Sequence, residues 1–84
     1  MKTFVELAAL RDDLRTAVRL VGEGEEMVSR YRGLTEELER EGQDKLETVL
    51  LARDVLKVME EMQARRIEHR NRLKQQFAEI EGGE

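Results

Sequence analysis

Residues 41–47 read EGQDKLE, the strongest boundary in the chain. Gly42 can end a helix in the left-handed conformation, and Asp44 followed by Glu47 has the spacing of a capping box, in which a side chain and a backbone N–H satisfy each other at a helix start. The pattern predicts a turn at 42–44 between two helices.

Working back from that turn, Tyr31, Val28, Val21, Ala17, Leu14, Leu10 and Leu7 fall on alternating three- and four-residue steps, with Gly24 filling the gap. That is a heptad seam, and Leu20, Met27 and Leu34 widen it into a broader apolar face. Thr3 with Glu6 repeats the capping-box spacing, so the first helix is expected over about 4–41. Gly22 and Gly24 each cost about 1 kcal/mol relative to alanine inside a helix, which predicts a weakened helix at 22–24; a true break there is the alternative and would give three helices. Working forward, Val49, Ala52, Leu56, Met59, Gln63, Arg66, Arg70, Leu73, Phe77 and Ile80 again alternate by three and four without a glycine. A second helix follows over about 45–80, and the tail EGGE at 81–84 is expected to fray.

Two long amphipathic helices joined by a short turn become antiparallel neighbours. The expected fold is therefore all-α: one domain over 1–84, an antiparallel, coiled-coil-like helical hairpin. Leu46, Leu50, Val55, Met62 and Ile67 lie beside the second seam, so one intramolecular contact leaves apolar surface uncovered. Pairing into a homodimeric four-helix bundle would cover it. An 84-residue chain that is 40% charged and 4% aromatic, with no proline, fits such helices far better than a sheet.

Composition also removes whole classes of chemistry. Without cysteine there is no disulfide framework and no thiolate metal site. The opening MKTFVELAALRDDL meets charges early, and no run of about twenty apolar residues exists, so neither a secretory signal nor a membrane span is expected and the cytoplasm is the default setting. His69 is the sole histidine, and no acidic residue lies three or four positions from it, which removes the usual helical metal pair. The hydroxyls of Ser29, Thr3, Thr16, Thr35 and Thr48 have no histidine near them in sequence. LRDDL at 10–14 resembles the opening of small helical chorismate mutases, but the basic residues such enzymes need later in that helix would fall on GEGEE and Met27. The expectation is no enzyme, with no catalytic, cofactor-binding or metal residue and no cofactor.

Charge is segregated. QARRIEHRNRLKQQF at 63–77 carries Arg65, Arg66, Arg70, Arg72 and Lys74 against Glu68, a net of +4, whereas residues 1–62 sum to −5 and 78–84 to −3. Folding about Gln43 lays this run beside Asp12 to Glu23 and near Glu25 and Glu26. The expectation is interhelical ion pairs at the seam edges, each worth about 0.2–1 kcal/mol when exposed. Gln63, Arg66 and Arg70 occupy seam positions themselves, where a polar layer can set register or the seam can open. An anionic ligand or nucleic acid on Arg65, Arg66, Arg70, Arg72 and Lys74 is a further alternative. It is disfavoured by a net charge of −4, a pI near 5.1 and the lack of an aromatic stacking platform.

What remains is protein–protein interaction through Leu50, Val55, Leu56, Met59, Met62, Ile67, Leu73 and Phe77, with a second copy of the chain or a helical client as partner. Met27, Met59 and Met62 could supply an adaptable groove. The glycine-acidic GEGEE, then EEMVSRYRGLTEELE at 25–39, then LLARDVLKVMEEMQARRIEHRNRLKQQF at 50–77 resemble the small flagellar export chaperones of the FliT type. That resemblance implies a cytoplasmic chaperone or adaptor that masks the helical terminus of an exported subunit, with the basic helix as a docking or autoinhibitory surface. A self-assembling structural coiled coil is the alternative that the residues alone allow.

Overall fold

A computed structural model describes residues 3–41 and 46–82. Two helices, α1 (Phe4–Glu41) and α2 (Leu46–Gly82), pack against each other as a hairpin 62 Å long and 16 × 14 Å across. The fold is an all-α helical hairpin, and no strand occurs among the described residues. The turn expected at Gly42 to Asp44 lies outside them. No helix is long and apolar enough to cross a membrane among the described residues.

The start of α1 is capped locally. The Thr3 hydroxyl accepts the Glu6 N–H at 3.2 Å, and the Thr3 carbonyl accepts the Leu7 N–H at 3.0 Å, which removes two orphan donors. α1 then runs through Gly22 and Gly24 without interruption. At the other end α2 continues to Gly82, two residues beyond the expected stop. The reason is local packing: Phe77, Ile80 and Glu81 line a groove with Phe4, Leu7, Ala8 and Arg11, which ties down the last turn.

One seam holds the hairpin. Ala17, Val21, Gly24, Val28 and Thr35 of α1 are buried against Val49, Gln63 and Leu73 of α2, and half-buried neighbours continue the line at both ends. No side chain among the described residues is wholly removed from solvent, as expected where each helix has only one neighbour. Thr35 is buried because its hydroxyl donates to the Tyr31 carbonyl at 2.8 Å, satisfying the polar atom within its own helix. Tyr31, read as a seam residue, is 42% exposed; it lines a groove beside the seam, where a phenol can keep its O–H in water.

Candidate functional site

The seam is closed at its middle by a polar layer. Gln63 Nε2 donates to the Val21 carbonyl at 2.8 Å, and Gln63 Oε1 accepts from Arg66 Nη1 at 3.4 Å. This approach needs Gly24. A Cβ there would overlap Gln63 Oε1, stand 2.8 Å from Gln63 Cδ and 3.2 Å from Arg66 Nη1. At Gly22 a Cβ would meet nothing within 4 Å. The buried glutamine thus has its donor and acceptor both used, and no buried side-chain polar atom among the described residues lacks a partner.

On either side of the seam the hairpin is finished differently. One flank carries the interhelical ion pairs: Arg53 Nε to Glu39 Oε1 at 2.7 Å and Arg32 Nη2 to Glu60 Oε2 at 3.2 Å. The other flank carries Met27, Tyr31 and Leu34 from α1 and Leu51, Val55, Val58 and Met62 from α2, each between 41% and 64% exposed. Tyr31 and Leu34 share a groove with Leu51 and Val55, Met27 shares one with Met59 and Met62, and Val58 lies with Val55 and Met59 between the two. These side chains therefore belong to one continuous face that spans both helices.

The residues expected from sequence to form an interface divide between these surroundings. Leu73 is buried in the hairpin's own seam, and Leu56, Met59 and Phe77 are half-buried along it. Ile67 is also half-buried. Leu50 is 48% exposed, but its helical phase turns it away from α1 and from the open face. Val55 and Met62 lie on that face. Sequence reasoning missed their companions Leu51 and Val58, although Leu51, Val55, Val58 and Met62 have their own four-three-four spacing.

The basic run is also placed differently from expectation. Arg66 and Arg70 are half-buried, while Arg65, Arg72 and Lys74 are exposed. None of these five takes part in a salt bridge among the described residues. Arg70 donates from Nε and Nη2 to Asn71 Oδ1 at 3.2 and 3.0 Å. Of the acids expected near the run, Asp12 pairs with Arg11 at 3.8 Å and Glu23 with Arg19 at 3.2 Å within α1, while Glu25 and Glu26 take part in no salt bridge among the described residues. For Glu23, a partner four residues away on the same helix is reached without bridging the seam.

Among the described residues no three histidine, aspartate or glutamate side chains converge as a metal site would require. Compared with protein-family models, curated proteins and solved structures, the chain matches none.

Proposed function

We propose that this chain is a non-enzymatic protein–protein interaction module that buries the face formed by Met27, Tyr31, Leu34, Leu51, Val55, Val58 and Met62 against another helical chain. The observation that carries the reading is that face: seven large apolar side chains, contiguous across two helices and left in water by the hairpin's own packing. A contiguous exposed apolar patch on a small chain marks an interaction site, and helical anchors at three- and four-residue spacing suit a helical partner. With a client as partner the module is a chaperone or adaptor working in the cytoplasm, as the export-chaperone resemblance implies. With a second copy it is a self-assembling unit.

Protein purified from its native host as wild type and as Leu34→Asp/Val58→Asp tests this. The wild type is expected in a stoichiometric complex, homomeric or with one helical protein. The variant is expected to keep its circular dichroism and to associate at least about a hundredfold more weakly, since each carboxylate would be buried without a partner. Equal complexes from both proteins would refute the reading.

An anion or nucleic-acid surface on Arg65, Arg66, Arg70, Arg72 and Lys74 is the second reading, favoured by the lack of any salt bridge to these residues among the described ones. Salt-dependent retention of an oligonucleotide, lost when Arg65, Arg66, Arg70 and Arg72 become glutamine, would support it.

A further inference from the structure

The open face of α2 is one stripe with three chemistries. Leu51, Val55, Val58 and Met62 form its apolar middle. The same alternation of three- and four-residue steps runs on into Arg65, His69 and Arg72, all exposed, and one step back from Leu51 stands exposed Thr48, with exposed Glu47 beside it. Read from either end, the stripe mirrors itself about a point between Leu56 and Lys57. Val55 reflects onto Val58, Leu51 onto Met62 and Thr48 onto Arg65, and Glu47 beside Thr48 reflects onto half-buried Arg66 with opposite charge.

The stripe on α1 has a centre of its own. Met27 and Leu34 reflect onto each other about a point between Arg30 and Tyr31. That point is as many residues from Gly24 as the α2 point is from Gln63, and Gly24 and Gln63 touch across the seam. Both centres therefore sit at one level of the hairpin.

We infer that the occupant of this face is a second copy of the chain, turned end for end about a two-fold axis through that level, so that α2 lies antiparallel on the partner's α2. The inference rests on the interaction-module reading and names its partner. A self-complementary patch is what a two-fold interface requires. Charge agrees with the orientation. Near the turn, with Glu39 paired to Arg53, Glu36, Glu37, Glu41 and Glu47 stand against Arg40, a net of −3. At the level of the basic run, residues 11–24 are balanced, so this part of the hairpin keeps the +4 of residues 63–77. End-for-end pairing lays each acidic end over the start of the partner's basic run, at Arg65 and Arg66, whereas pairing with both turns at the same end would set like charge on like. Arg70 and Arg72 stand just past the start of the partner's α2, and because helical side chains tilt toward the helix N-terminus they lean back toward the partner's acidic end. This supplies the carboxylates that the basic run does not find within its own chain.

Area agrees as well. The hairpin exposes 6866 Å², against about 5,200 Å² for a compact monomer of its mass. The surplus of about 1,700 Å² is roughly twice what one side of a standard-size interface buries.

Sedimentation dilution series on three proteins and one mixture test the pairing: wild type, Arg65→Glu/Arg72→Glu, Glu41→Arg/Glu47→Arg, and the two variants combined. The wild type is expected as a dimer, each variant alone as a dimer at least about tenfold weaker, and the mixture as a heterodimer close to wild type in strength. Circular dichroism on each variant separates lost pairing from lost folding, and recovery in the mixture makes the same distinction. Variants that pair as tightly as wild type would overturn the end-for-end arrangement, because reversal would then only exchange one like-charge contact for another. A wild type that stays monomeric would overturn the self-pairing itself. If that monomer binds anilinonaphthalene sulfonate and Leu34→Asp/Val58→Asp does not, the interaction-module reading survives with a different helical chain as partner. A dimer indifferent to both reversals, whose only response to Arg65→Glu/Arg72→Glu is loss of oligonucleotide binding, would overturn the proposal in favour of an anionic ligand.

Discussion

The two flanks of the seam are built from the same two helices and are finished in opposite ways. On one, Glu39 and Arg53, with Arg32 and Glu60, tie α1 to α2 and spend their charge inside the chain. On the other, nothing charged bridges the helices over Met27 to Leu34 and Leu51 to Met62, and the side chains that could cover the seam stay outward. Interhelical ion pairs thus close the hairpin on one flank only among the described residues. A flank closed by ion pairs is costly to desolvate and discourages docking, while the apolar flank gains from it.

The contrast can be broken hardest at the layer between the flanks. Gly24→Ala is expected to drive Gln63 from its place and leave its bond to the Val21 carbonyl unmade, destabilising the hairpin by about 1–3 kcal/mol and shifting both flanks out of register. Gly22→Ala, two residues away with open space around it, is expected to stabilise by about 0.5–1 kcal/mol through helix propensity alone. Urea melts of both proteins check the pair. Equal effects would mean that the Gln63 contact does not discriminate between the two glycines.

A smaller effect sharpens the flank comparison. Glu39→Gln and Glu60→Gln remove the ion pairs; each is expected to cost about 0.2–1 kcal/mol, reduced further by salt, because these side chains are between 37% and 55% exposed. Self-association measured on the same proteins is expected to stay at the wild-type level. Loss of association with these variants would place the interface on the wrong flank.

Much of the fold was legible as periodicity. Every residue from Val49 to Ile80 that was read as seam on α2 is buried or half-buried, including the three polar ones, Gln63, Arg66 and Arg70. What periodicity does not carry is the side of the seam on which an off-seam residue stands relative to its neighbour's side chains. Folding the chain about its turn finds which residues share a level, and the acids near Asp12 and Glu23 do share one with the basic run. Asp12 and Glu23 nevertheless close on arginines of their own helix, which need no bridge across the seam. The adjacent pair Leu50 and Leu51 shows the same limit. Both are apolar and exposed, yet a rotation of about 100° between neighbours puts one on the outer side of α2 and the other on the open face. Met27 and Leu34 were visible as a widening of the seam, but only the packed hairpin brings them beside Met62 and Leu51.

The chain contains no cysteine, so a single introduced thiol reports directly on what covers that face. Val58→Cys stands close to the inferred two-fold axis, and Leu50→Cys stands on the far side of the same helix. Under a glutathione redox buffer, Val58→Cys is expected to form a covalent dimer readily while Leu50→Cys remains monomeric under the same conditions. A disulfide that forms equally at both positions, or at Leu50→Cys alone, would contradict the account.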